Sequence, residues 1–525
     1  MRAPSFPADK SRTRPIGARW EGKTVLAERL KDLIRRLNQI GIALSSETHL
    51  PSLLELLVRE VRRFTRADAG SLYFKVGNQL QFQVAQNDTL TAREVTAAGA
   101  FRPYPIPLDK TSIAGYVATT GEILNIPDVY QIPAEAEFRF NPAFDERNDY
   151  QTRSMLALPM WNRENEIIGV LQLINALDEK ESVTGFDSDH VELVASLASQ
   201  AAVAIQNARL IGAIHDVFAA LVRYSASAID ARSPHTAGHS RRVATYSLRL
   251  ARAVNDEQGG PFADIFFNDK ELEELNYAAW LHDIGKIGVR EELLDKVGRL
   301  GRVAIDLIAN RFETIKLAIV YENHQKREQH GRAPANPVTD TKRRLEEVDE
   351  DLEFIRRMNE SKLITPEQIE RLRLIQGKTF RDAQSQIRPY LTDEEARPLS
   401  MPEGNLTSEE YEEVRGHVLH TLNIINKIPF GKDLERIPLI AAAHHEKLDG
   451  SGYPLGLKAP DIMIQARILG VADVYDALTA TDRPYRGAMP VEEALKILMR
   501  EAETGKLDRD LVQLFVTKKL YDNGT

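Results

Sequence analysis

Between residues 188 and 229 the chain keeps one unbroken helical pattern. Leu193, Leu197, Ala201, Ala204, Ala208, Ile211 and Phe218 return at helical spacing, with neither Gly nor Pro before Gly212. A helix of about 40 residues reaches about 60 Å. No ordinary core holds such a rod, so the sequence predicts separate domains joined through residues 191–229. Paired with a second copy, the helix could pass a twist or shift between domains, although its apolar face would serve simple packing equally well. The length, 525 residues, allows roughly two to four domains. No apolar run approaches the roughly 18 residues needed to span a bilayer, so no membrane partner is expected. The first residues carry Arg2, Lys10, Arg12, Arg14 and Arg19 without an apolar signal segment. They predict a disordered basic tail over 1–25 and a cytoplasmic protein. A net charge of -9, from 68 basic and 77 acidic residues, argues against a nucleic-acid polymer as partner.

The chain has no cysteine, which excludes disulfides, thiol nucleophiles, iron–sulfur clusters and thiolate zinc sites. Any metal must therefore sit on His, Asp or Glu. Of the twelve histidines, His235 and His239, then His282, then His417, His420, His444 and His445 fall in tight groups. His324 and His330 lie among Lys, Arg and Gln, where solvated side chains are expected.

Ahead of the long helix, Leu30, Leu33, Leu37, Ile40 and Leu44 recur near every 3.5 residues. That spacing suits a helix paired with another helix, or one packed on its own domain. Short apolar stretches follow at 71–76, 79–85, 122–127, 155–161 and 166–175, which predict an antiparallel sheet with flanking helices, an α+β domain. The succession TSIAGYVATTGEILNIPDV (111–129), RFNPAFDERNDYQTRSMLALPMWN (139–162) and EIIGVLQLINALDE (166–179) resembles a GAF domain, taken here over 26–190 with its N-terminal helix. The resemblance implies a sensor with an unknown small ligand, and Asn141, Phe144 and Asp145 match the stretch that helps close the pocket in cyclic-nucleotide-binding members. A structural, dimerising domain is the other reading, since a fold does not settle function.

Residues 301–405 are charged and helical in period. Val348, Leu352 and Ile355 mark one face, and TPEQ (365–368) supplies an N-cap, a first-position Pro and a capping box, followed by Ile369, Leu372 and Ile375. A helical hairpin is the simplest structure for them.

Five segments of the last 300 residues carry the chemistry: DARSPHTAGHSRRV from Asp230, HDIGKIGV (282–289), LTSEEYEEVRGH (406–417), HHEKLDGSGYP (444–454) and VADVYDALTATDRPYR (471–486). Together they resemble an HD-GYP domain, an all-α bundle of the HD superfamily whose members are metal-dependent phosphodiesterases of cyclic di-GMP. The domain is assigned to 230–525, with 301–405 as an insertion that acts as a lid, a dimer contact or an inert elaboration. Apart from the resemblance, cleaving a phosphodiester calls for water activated at neutral pH and for charge neutralisation on the phosphoryl oxygens, which paired metals supply. Imidazole and carboxylate donors suit iron or manganese.

The resemblance places metal ligands at His239, His282, Asp283, His417, His444, His445 and Asp473, with Asp283 bridging two ions. It puts Lys286 beside the scissile phosphate. Gly452, Tyr453, Pro454, Asp476, Arg483 and Arg486 are expected at the substrate, with Tyr453 offering a ring face to guanine and the arginines holding the second phosphate. Relative to many members, Ala480 and Thr481 lengthen the last segment by one residue. Ser233 and Pro234 suggest a helix start that would set His235 and His239 one turn apart; His235 then either ligates a third ion or lines the wall, so two or three divalent ions are expected. His420 has no ligand counterpart. The implied protein is a homodimeric phosphodiesterase opening cyclic di-GMP to pGpG, with GMP as a further product, under GAF control. The competing readings are a catalytically silent cyclic di-GMP receptor and a hydrolase of another cyclic dinucleotide or nucleotide.

Overall fold

The computed structural model describes residues 35, 38–93, 105–231, 238–330, 337–480 and 489–522. It divides into two compact units, Met1–Val217 and Phe218–Thr525.

The first unit is an α+β domain built on β1 (Ala67–Val76), β2 (Gln79–Asn87), β3 (Ile106–Pro107), β4 (Leu124–Ile126), β5 (Met155–Trp161), β6 (Ile167–Leu177) and β7 (Val183–Thr184). These form one sheet in the order β3-β2-β1-β6-β5-β4, with β7 on β6. Strand pairs are antiparallel throughout, so short turns suffice between neighbours. Because side chains alternate across a strand, β5 feeds two cores. Leu156, Leu158 and Met160 join Leu53, Leu57 and Val61 of the Leu50–Thr65 helix and Leu197, Ala201 and Ile205 of the Ser188–Asp230 helix. Met155 and Ala157 face the other way, toward Ile113, Ala114 and Val117 of the Ile113–Thr120 helix. Burial on both faces explains why MLALPMW is apolar without alternation.

The N-terminal helix expected over 27–44 is described only in part. Ile40 and Leu44 are buried in the same core as Leu53 and Leu197, so this segment packs on its own domain. The predicted long helix spans Ser188–Asp230 without a break, its first part carrying sheet-facing residues.

The second unit is helical. The helices His239–Asp256, Asp269–Leu281, Ile437–Ala442, Val491–Glu503 and Arg509–Thr517 pack around Val243, Leu250, Leu275, Ile440, Leu498 and Phe515, with Ile464–Thr479, which has no exposed residue, at the centre. The stretch 301–405 exceeds the expected hairpin. Helices Arg302–His330, Pro337–Glu360, Pro366–Gln376 and Asp393–Leu399, with a two-stranded ribbon Thr379–Arg381/Ile387–Pro389, enclose a separate core of Ile308, Phe312, Ile355, Leu372 and Leu391. Thr365 and Gln368 form the predicted capping box. Arg299, fully buried, ties the base of this insertion by donating to the carbonyls of Ser361, Lys362 and Met401.

Candidate metal centre

Three histidines are oriented by one local device. The Nδ1 of His282, His417 and His444 lies 2.8, 2.6 and 2.6 Å from the carbonyl oxygen three residues earlier, those of Ala279, Val414 and Ala441. A carbonyl can only accept, so Nδ1 carries the hydrogen and the opposite nitrogen, Nε2, is turned inward. In His417 and His444 that Nε2 is buried with no hydrogen-bond partner. A dry, donor-free lone pair is costly unless a cation meets it, and these positions fit a metal.

His239 is held differently. Its Nδ1 lies 2.8 Å from Oδ2 of Asp476, whose carboxylate is gripped by Arg242 through Nε at 2.7 Å and Nη2 at 3.0 Å. Asp283 links the rings: Oδ2 lies 3.4 Å from Nε2 of both His239 and His282, and Oδ1 lies 3.4 Å from Nε2 of His417. Three ligand groups result among the described residues: His239 with His282 and Asp473; His417 with His444 and His445; and His282 with Asp283 and His444. All seven expected ligands therefore converge, with Asp283 reaching both sides and Asp473 doing so too, its Oδ1 3.3 Å from His239 Nε2 and its Oδ2 3.7 Å from His445 Nδ1.

Charge divides the rings into two kinds. Burial holds His444 well below its usual range, reinforced by His445, and pushes His445 down to about 4. Burial also opposes charge on His239 and His282, yet hydrogen bonds to Asp283, Asp473 and Asp476 raise His239 well above its ordinary value. In His282 the charge of Asp283 outweighs burial and lifts the ring to about 9.

Linkage fixes the sign of each effect. As pH falls from 6.5 toward 4, the unfolded chain takes up protons that His445 refuses when folded, so stability drops. The stabilisation from a protonated His282 is complete below 6.5 and is lost as pH rises through about 9. The metal-chelated protein is therefore expected to show its highest unfolding midpoint near neutral pH, with a fall on either side. Manganese, taking the place of those protons, should remove the alkaline fall. Thermal unfolding across pH, with chelator and with manganese, checks both limbs; an alkaline fall unchanged by manganese would contradict the assignment.

Lys286 places its Nζ 2.6 Å from Oδ2 of Asp283. The loop after His445 is pinned by Glu446, whose carboxylate accepts from the amides of Leu455 and Leu457 at 2.7 and 2.8 Å. Gly452 passes so close to Glu446 and Lys447 that a Cβ would lie 2.2 Å from the Lys447 nitrogen.

Several expectations change. Asp476 is 1% exposed, with both oxygens engaged by His239 and Arg242, so it braces a ligand instead of facing substrate. Tyr453 does not present a bare ring: His445 lies 4.8 Å from its centroid, and the Arg415 guanidinium sits over it at 4.5 Å. The helix bearing His239 begins at that residue, after Gly238 in the left-handed region at φ 70°. His235, Arg483 and Arg486 lie outside the described residues. His420 and His324 are exposed.

Sequence reasoning missed Thr421, fully buried, whose hydroxyl donates to the His282 carbonyl and accepts from the Gly285 amide, both at 2.9 Å. It joins the turn carrying Asp283 to the helix carrying His417 (His417–Ile425). A threonine in a histidine-bearing helix gives no sequence signal of that role.

In the first unit, Asn141, Phe144 and Asp145 line a cavity of about 160 Å³, together with Tyr73, Phe82 and Phe140. Asp145 is saturated internally, accepting from Tyr130 at 2.8 Å and from the amide and hydroxyl of Thr152 at 2.7 and 2.8 Å.

A family model described as GAF domain matches residues 49–205, and two described as HD domain match 236–378 and 394–511. The chain is 27% identical over 276 residues to the 3'3'-cGAMP-specific phosphodiesterase 3 of Vibrio cholerae, a match covering 53% of this chain and 34% of that protein. It is 39% identical over 114 residues to a cyclic di-GMP phosphodiesterase of Thermotoga maritima, covering 22% of this chain and 30% of that one. The chain thus spans about a third of the length of these relatives. Among solved structures, the GAF domain of a phosphoenolpyruvate-protein phosphotransferase from Coxiella burnetii is similar at 20% identity and TM-score 0.27, covering 34% of this chain and 96% of that one. Among the described residues no helix is long and apolar enough to cross a membrane.

Proposed function

We propose that this chain, a GAF domain followed by an HD-type domain, is a metal-dependent phosphodiesterase of cyclic dinucleotides. Within that class we assign the HD-GYP type, with cyclic di-GMP opened to pGpG and then to GMP. The observation that carries the reading is the pair of buried, donor-free Nε2 atoms of His417 and His444 beside a carboxylate that reaches both sides of the cluster. Under this reading His239, His282 and Asp473 would hold one divalent ion and His417, His444 and His445 another, with Asp283 within reach of both groups. Bound iron or manganese supplies charge neutralisation and water activation at neutral pH.

The remaining work belongs to the chain. Asp476 and Arg242 fix the His239 ring, so that its Nε2 stays aimed inward. The Lys286 ammonium is assigned to the scissile phosphate, and the loop of Gly452, Tyr453 and Pro454 to the substrate wall. Arg483 and Arg486 are assigned to the second phosphate, and His235 to the wall of the site. The test is to load the purified chain with iron or manganese without oxygen, add cyclic di-GMP, and follow linear products by chromatography. Binding without turnover under both metals would overturn the enzyme reading in favour of a silent receptor.

The same proposal includes a homodimer and GAF control through the long helix. Supporting it, Leu210, Ile214, Val217, Leu221 and Tyr224 are 55%, 69%, 60%, 60% and 75% exposed. They alternate steps of four and three, with Asn207 in the same register, the seam of a two-stranded coiled coil. Replacing Ile214 and Leu221 together by Lys should convert a dimer to a monomer in sedimentation velocity. A wild-type monomer at micromolar concentration would contradict the pairing.

A further inference from the structure

Arg415 ends the Ser408–Arg415 helix, two residues before His417. Its guanidinium lies over the Tyr453 ring, 4.5 Å from the centroid, and 5.7 Å from that of Tyr411. One side of the group is engaged, with Nη1 donating to Glu412 at 2.5 Å. On the other side, Nε is buried and has no partner. Elsewhere in this chain that side works as a two-pronged fork: Arg242 grips Asp476, and Arg290 grips Glu413, through Nε and Nη2. In Arg415 the Nε side meets no acceptor among the described residues. A dry N–H donor without an acceptor is costly to maintain, which makes Nε the place where an acceptor is missing, with Nη2 beside it to complete a fork.

Position narrows what that pair is. Tyr453 is the ring beside His445, at 4.8 Å, and Arg415 rests on Tyr453. The fork therefore stands one aromatic ring out from the ligand cluster. A phosphate held at the cluster would lie on the His445 side of that ring, whereas a base attached through its ribose would extend beyond it. A guanidinium lying over an aromatic face also presents its N–H groups in its own plane, the arrangement that a flat heterocycle edge can meet.

We infer that Arg415 reads the O6/N7 edge of a guanine in the substrate, and so sets which cyclic dinucleotides this site accepts. The inference rests on the cyclic dinucleotide reading above. Guanine offers two adjacent acceptors on that edge; adenine offers one acceptor and one donor, and its amino group would face the donor fork. Cyclic di-GMP and 3'3'-cGAMP each carry at least one guanine, and cyclic di-AMP carries none.

The test compares the manganese-loaded full chain with its Arg415→Ala and Arg415→Lys variants on cyclic di-GMP, 3'3'-cGAMP and cyclic di-AMP. Kinetics are read alongside calorimetric binding of the same three to the chelated proteins. The wild type should prefer the guanine-bearing ligands in both measurements. Both variants should lose that preference by about tenfold or more, through KM and Kd more than kcat, with metal content unchanged. Lysine keeps the charge but not the fork, so it should behave as alanine does. Equal losses on all three ligands in the alanine variant, with lysine restoring wild-type behaviour, would mean a phosphate contact and overturn the inference. A wild-type chain that hydrolyses none of the three contradicts the phosphodiesterase reading instead, and the calorimetric preference then still decides the role of Arg415.

Discussion

Asp283→Asn should lower turnover by about a thousandfold or more and reduce bound metal by at least one ion per chain. The two oxygens of Asp283 face different histidine sets, His239 and His282 at Oδ2 and His417 at Oδ1. It is held ionised: burial disfavours its charge, but Lys286 and the surrounding histidines outweigh this and keep it well below the usual carboxylate range. Asparagine has nearly the same shape and no charge, so it cannot neutralise two cations at once. Elemental analysis and single-turnover kinetics on a variant with unchanged circular dichroism make the comparison. Full metal content with turnover within tenfold of wild type would remove Asp283 from the bridging position.

Gly285→Ala should be the most damaging methyl group in the second unit. A Cβ there would lie 2.0 Å from the His417 carbonyl oxygen and 2.3 Å from the Thr421 nitrogen, both backbone atoms that cannot step aside. The turn carrying Asp283 and the helix carrying His417 must then separate. That breaks the hydrogen bonds of Thr421 to the Gly285 amide and the His282 carbonyl. Overpacking of this kind costs about 1–3 kcal/mol, and each buried hydrogen bond adds about 1 kcal/mol, so a loss of at least about 3 kcal/mol is expected. The separation also pulls His417 away from Asp283, so metal affinity should fall with stability. Gly288→Ala is the control, because the three atoms nearest its Cβ would belong to the exposed side chain of His420 and not to backbone. Urea unfolding and metal titration of both variants test this. Equal, small effects would show that the close approach at Gly285 does not hold the site together.

The histidine and aspartate cluster was legible in the sequence because its residues are chemically distinctive and arrive in short groups: His282 with Asp283, His444 with His445, and Asp473 in a helical run. The sheet was legible because apolar stretches such as MLALPMW are bounded by turn residues. What brings the ligands together was not. Thr421 and Gly285 act through a backbone contact between segments more than 130 residues apart, which no local pattern reports. Asp476 was assigned to substrate because a sequence cannot say which way a carboxylate one helical turn from a ligand faces; burial beside His239 and Arg242 decides it. Arg415 lacked any signal, since its meaning depends on a tyrosine 38 positions away. The ribbon Thr379–Arg381/Ile387–Pro389 escaped for another reason: strands of three residues are too short to show alternation.

The central claim is a pair of metal ions sharing Asp283. Anomalous X-ray diffraction from crystals of the manganese- or iron-loaded chain tests it directly. The account predicts two peaks, one among His239, His282 and Asp473 and one among His417, His444 and His445, with Asp283 touching both. A single peak away from Asp283, or no peak from protein that elemental analysis shows to be saturated, would contradict it.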